Sequence, residues 1–204
     1  VHRALVDADS VTAVETAVCE ALSAADWVSF AWLGRADGER VEPRAWAGRH
    51  ADYLEAVSLS TADPDGPPAV RTAKADEPTT VDAIADGIGE QGWHTAAIAR
   101  DFQSVVSVPL RVDDVGNGVL TVYADRPIAF GESLTAVFAE IGDSVATALH
   151  EQELRSRYTR DSDVELELTV SAPDSPLGRL ATELGTTLHG EEVIPIDDTE
   201  TRLF

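Results

Sequence analysis

Catalysis would need a nucleophile, a base or a metal-ligating cluster, and the sequence supplies these sparsely. The five histidines, His2, His50, His94, His150 and His189, are scattered, without the i, i+4 pairing or cysteine partners that metal sites prefer. Cys19 is the only cysteine, which rules out an intramolecular disulfide or a thiolate-rich zinc site; it reads as a small apolar helix residue. Asp82, Asp86 and Glu90 make a spaced acidic face of the solvated kind. Residues suited to recognition are aromatic: Phe30, Trp32, Trp46, Tyr53 and Trp93 carry flat apolar rings that either wall a small-molecule pocket or fill a core. Arg71, a rare cation here, either faces an anionic ligand, caps a helix C-terminus or pairs with a neighbouring carboxylate. This inventory points to binding; the chain is expected not to be an enzyme, and neither a metal nor a cofactor is named by it.

The elements that must position these residues centre on Phe102 to Phe130. Two valine-rich runs, Val105 to Val112 and Val119 to Tyr123, flank the acidic, glycine-bearing turn Asp113 to Gly118 and predict a long β-hairpin. Neither run alternates cleanly, so both strands are expected to be covered on both faces. Gly131 opens a helix to about Arg157, with Leu134, Val137, Phe138, Ile141, Val145 and Leu149 at helical spacing. Upstream, capping residues at Asp9 and Ser10 precede an amphipathic helix to Ala25. Trp27 to Leu33 and Val41 to Ala47 form a second hairpin; short helices are expected at His50 to Val57, Ala69 to Lys74 and Trp93 to Arg100. Ser60 to Pro68 is a breaker cluster, and Thr79 to Val81 a brief strand before an acidic loop, Asp82 to Gly92.

Thirty-seven acidic residues stand against 15 basic ones, a net charge of −22, and Lys74 is the only lysine. Such a surface repels nucleic acid and anionic membranes, which are gripped through Lys and Arg. With 44% hydrophobic residues and clear periodicity, the acid surplus reads as adaptation to molar salt, where screening removes the self-repulsion, and implies a halophilic archaeal source. No run of ~18 apolar residues and no basic-then-apolar leader occurs, so a cytoplasmic home without membrane contact is expected. The absence of methionine, even at position 1, marks the chain as a fragment of something longer.

The order helix, hairpin, irregular helical crossover, hairpin, long helix resembles the GAF domain, a small-molecule sensor module. Asp65-Gly66-Pro67, Ala69-Val70-Arg71-Thr72 and Glu77-Pro78 resemble its crossover; Trp93, Ala96-Ala97 and Ser104 resemble the approach to its central hairpin. Ser107-Val108-Pro109-Leu110, Gly118-Val119-Leu120 and Phe130 resemble its core. The resemblance covers about Val1 to Tyr158 and implies an α+β fold: a mainly antiparallel six-stranded sheet, terminal helices on one face, and crossover helices over a ligand pocket on the other. Phe30, Trp32, Trp46, Tyr53, Arg71 and Trp93 would then be the ligand-binding residues. Relatives that attach bilins use a cysteine beside a histidine near the pocket, and the methionine-sulfoxide reductases of the family need several cysteines; a lone Cys19 fits neither.

Beyond Tyr158 a polar linker leads to a strictly alternating strand, Val164 to Val170, and a helix from Asp174-Ser175-Pro176 to Leu184, the start of a partial second βαβ-type unit over 159–204. This segment resembles the region that follows the GAF domain in archaeal regulators of the bacterio-opsin-activator type, ahead of a helix-turn-helix. The resemblance implies a sensor module of a transcriptional regulator, with DNA contacted only through a C-terminal domain absent from this chain. The alternative is a ligand-free dimerisation module of such a regulator. In either case a homodimer is expected, built from the Ser10–Ala25 and Gly131–Arg157 helices, with Ala139 and Ala146 allowing close approach.

Overall fold

The structure is a computed structural model of all 204 residues, and it describes residues 10–87, 89, 92–112, 115–161, 193–195 and 201–203. The chain divides into two units, Val1–Ser162 and Asp163–Phe204. In the second, β6 (Val193–Pro195) and β7 (Thr201–Leu203) form an antiparallel pair, while the strand and helix expected over 164–184 lie outside the described residues.

The first unit follows the expected order. Helix α1 (Val11–Ser23) starts at Ser10, whose backbone is extended and whose side-chain oxygen accepts the Ala13 N–H at 3.2 Å. Strands β1 (Val28–Ala36) and β2 (Val41–Gly48) make the first hairpin. The crossover carries α2 (Tyr53–Ala56), α3 (Pro68–Ala75), β3 (Thr79–Val81), a single 3-10 turn at Ile84–Gly87 and α4 (Gly92–Ile98). Strands β4 (Ser104–Val112) and β5 (Val115–Ala124) form the central hairpin, and α5 (Glu132–Asp161) closes the unit.

The sheet is antiparallel with order β2-β1-β5-β4-β3, so among the described residues it has five strands rather than the six expected. A sixth would run along the open edge of β2. There the chain contributes a single isolated bridge, Arg40–Ser60, flanked by the hydrogen bonds from Val41 N–H to the Leu59 carbonyl and from Thr61 N–H to the Glu39 carbonyl, before Asp63 to Pro68 turns it away.

Both faces of the central strands are covered, which explains their unbroken apolar runs. On one face α1 and α5 bury Val14, Val18, Leu22, Phe138 and Val145 against Leu33, Val108, Leu120 and Val122. Cys19 belongs to this layer, and burial among apolar groups pushes its thiol up to about 12. Helix α5 reaches the sheet backbone at Gly142, where an added Cβ would stand 2.8 Å from the Pro109 carbonyl oxygen. That close approach fixes the helix phase and corrects two expectations: Val137 is turned outward, 47% exposed, and Ala146 is in this chain's own core, 5% exposed. The crossover packs on the opposite face.

Candidate functional site

Strand register builds the floor of the crossover layer. Trp32 lies opposite Thr121, Thr121 opposite Ser107 and Ser107 opposite Thr79; in the next row Phe30, Tyr123, Val105 and Val81 follow one another. Because directly opposed residues share a face, an aromatic row and a polar row run side by side beneath the crossover helices. The polar row is internally satisfied: the Ser107 and Thr121 hydroxyls are 2.9 Å apart, and the Thr72 hydroxyl of α3 donates to the Ser107 carbonyl at 3.2 Å. This bond ties α3 to the sheet.

Above the aromatic row sits Tyr53 of α2. The Tyr123 hydroxyl donates to that of Tyr53 at 2.9 Å, with ring centroids 5.0 Å apart. Phe102, delivered by the turn after α4, stacks on Tyr123 at 4.7 Å and meets Tyr53 edge-on at 5.4 Å. Desolvation by burial raises both phenols well above their ordinary range; the Tyr123 bond moderates the shift at Tyr53, and the neighbouring Tyr53 adds to it at Tyr123. Arg100 holds α2 to α4 by donating to the Asp52 carboxylate at 2.6 Å and the Ala96 carbonyl at 2.8 Å. The hydrogen bond to Arg100 holds the Asp52 carboxyl below its usual value.

Of the six residues the sequence nominates, Phe30, Trp32, Tyr53 and Trp93 are buried together in this layer. Trp46 lies opposite Trp32, on the same face but on the edge strand, 49% exposed. Arg71 sits half-buried on α3 with its guanidinium 5.9 Å from the Trp93 ring centroid. Helix capping, one role open to Arg71, falls to another arginine. Asp76 ends α3 in the left-handed region, its N–H bonded to the Thr72 carbonyl, and Arg111 of β4 donates to the Asp76 carbonyl and forms an ion pair with its carboxylate at 3.1 Å.

Sequence reasoning nominated none of Tyr123, Phe102, Ser107, Thr121 and Thr72 for the site. The signal was present: Ser107 and Thr121 are the polar interruptions of the two valine runs of one hairpin.

These side chains are buried together between crossover and sheet. A cleft of about 280 Å³ opens at the outer side of the layer, between Ala56–Ser58, Gly66–Pro67 and Gly92–Trp93, with Asp63 and Asp65 on its rim. A smaller one of about 110 Å³ lies between α1, α5 and the sheet, beside the 3.4 Å Glu15–Arg44 pair.

Residues 8–150 match the GAF-domain family. The chain belongs to that family. No curated protein matches it. Among solved structures, this GAF domain is similar to the GAF domain of an Acinetobacter phosphoenolpyruvate-protein phosphotransferase: 14% identity, 76% of this chain, 92% of that one, TM-score 0.60. It is similar also to a domain of a putative two-component sensor histidine kinase from Sinorhizobium meliloti: 17% identity, 76% and 99% covered, TM-score 0.57. A third is the type II free methionine-R-sulfoxide reductase of Thermoplasma acidophilum: 15% identity, 69% and 92% covered, TM-score 0.57. At such identities the likeness is one of fold. The third structure nonetheless overturns the expectation that the chain is not an enzyme, because that expectation set the reductases of the family aside on cysteine count. Their backbone and this one superpose over most of the GAF domain, and the fold is one that carries catalysis as well as sensing.

Proposed function

We propose that this GAF domain is the small-molecule sensor of a longer transcriptional regulator of the bacterio-opsin-activator type, from a halophilic archaeon and acting in its cytoplasm. Residues 1 to about 158 form the sensor, and 159–204 begin the next domain. DNA contact belongs to a part of the protein outside this chain.

The observation that carries this reading is the crossover layer itself. Two short helices, α3 and α4, lie over a floor that mixes aromatic walls with buried hydroxyls, and a few side-chain bonds hold them there. Elements held in this way open at lower cost than the sheet below them. Phe30, Trp32, Trp46, Tyr53, Arg71 and Trp93 would contact the ligand. Helix α5, packed on the opposite face and running on from the sheet, is the element through which a change in the layer reaches the following domain. In a homodimer α1 and α5 would form the bundle; exposed Val137 and Leu154 supply apolar surface on α5, whereas Ala146 is already spent on the sheet.

A second reading, a ligand-free dimerisation module, draws support from the dense filling of the crossover layer. Native mass spectrometry of the chain purified from its own cells separates the two. The sensor reading expects a retained small molecule released on denaturation; a bare mass across preparations favours the dimerisation module.

A further inference from the structure

Among the described residues, one half-buried cation of the crossover layer has no counter-charge. Arg35, Arg44, Arg49, Arg100 and Arg111 each have a carboxylate oxygen within 4 Å, at 3.7, 3.4, 3.9, 2.6 and 3.1 Å. Arg71 makes no ion pair among the described residues, although the chain carries 37 acidic side chains, and its buried Nε–H has no hydrogen-bond partner. A guanidinium cannot escape this by losing its proton, so an unpaired, half-buried one is a cost that its surroundings must offset or a ligand must meet. Burial does pull Arg71 below its ordinary value, with the Tyr123 phenol acting in the opposite sense.

The side chain is also held in place. Helix α3 is pinned by Thr72 to Ser107 at its centre and by Arg111 to Asp76 at its end, and the guanidinium rests over the Trp93 ring. A second donor on the same face is likewise unsatisfied. Trp32 is fully buried and its Nε1–H has no hydrogen-bond partner among the described residues; its benzo edge lies against Gly34, which puts the pyrrole edge on the far side of the ring. Buried donors without acceptors are rare enough in folded proteins that each calls for an explanation.

We propose that the small molecule taken by the crossover layer is a carboxylate, a monoanion with an aromatic or apolar body, its charge met by Arg71 and its body lying against Trp93. This rests on the reading that the layer is a ligand site and adds the ligand's class. A single guanidinium among Trp and Tyr rings suits one negative charge, and Asp63 and Asp65 on the rim of the adjoining cleft oppose a dianion. Inorganic phosphate is therefore disfavoured.

The test is a titration of the full chain with benzoate, with benzamide as its uncharged isostere, and with inorganic phosphate at constant ionic strength. Binding is followed by ¹H–¹⁵N shifts of the Trp93 indole and of residues 68–75. Saturable benzoate binding is expected, about tenfold tighter than benzamide, about tenfold weakened in Arg71→Gln and partly retained in Arg71→Lys. Benzamide binding as tightly as benzoate overturns the carboxylate assignment while leaving a ligand site in place, and needs no variant. Benzoate affinity unchanged in a folded Arg71→Gln overturns the role of Arg71, and tighter phosphate binding overturns the class. If neither aromatic compound shifts these resonances, the carboxylate assignment fails, while the ligand-site reading is decided separately by the native mass measurement.

Discussion

Replacing Phe102 with alanine is expected to lower the unfolding free energy of the GAF domain by about 3–5 kcal/mol. The ring is 1% exposed and touches both hydroxyl-bearing aromatics as well as Phe30, which stacks on it at 6.0 Å. Its removal leaves a cavity whose neighbours are fixed from two sides. Phe30 and Tyr123 stand on central strands, and Tyr53 is hydrogen-bonded to Tyr123, so collapse into the space is limited. The aromatic pairs add about 0.5–1.5 kcal/mol each beyond area, which favours the upper part of the range. Urea unfolding followed by far-ultraviolet circular dichroism measures the change. A loss below about 1 kcal/mol would mean that the layer is already loose around Phe102.

The second large effect is alkaline. Tyr53 and Tyr123 are both raised above the ~10 of a free phenol, so the folded state favours their neutral form. A group whose folded pKa lies above its unfolded one contributes stability that is complete below pH ~10 and is lost as pH climbs from there through the folded value. The buried Cys19 thiol acts in the same sense over the interval from its ordinary value to about 12. At least two of the three phenols should therefore stay protonated while the domain is folded and ionise together as it unfolds. Absorbance at 295 nm should rise in one cooperative step coincident with the loss of circular dichroism, and Tyr123→Phe should alter that midpoint. Independent titration of the phenols near pH 10 with the fold intact would contradict the burial of the pair.

Much of the scaffold is legible in the sequence because single physical causes dominate there. The paired strands Ser104–Val112 and Val115–Ala124 are covered on both faces, and a run such as Val105-Val106-Ser107-Val108 has few other uses. Ser10 ahead of Val11, Val14 and Val18 announces α1 for the same reason. What was misread depends on choices made elsewhere in the chain. The missing sixth strand is settled by the breaker cluster after Ser60 overriding a pairing that begins at Arg40. The orientation of α5 is settled by Gly142 meeting Pro109, and helical spacing alone does not say whether Val137 or Gly142 faces the sheet. In the site, large aromatics stand out because their area must be buried, so Phe30, Trp32, Tyr53 and Trp93 are found without coordinates. Ser107 and Thr121 are not, since small hydroxyls in a strand become a feature only once register places them side by side. Arg71 and Arg111 are alike on paper; tertiary structure gives Asp76 to one and leaves the other over Trp93.

The central claim is that the crossover face takes the small molecule, and hydrogen exchange locates binding most directly. The full chain is compared with and without the small-molecule extract of its own cells. The account predicts slowed exchange in Pro68–Ala75 and Gly92–Ile98, which lie over the aromatic floor, against little change in the ladder-paired β4 and β5. Protection confined to Val11–Ser23 and Glu132–Asp161, or no protection anywhere, would contradict it.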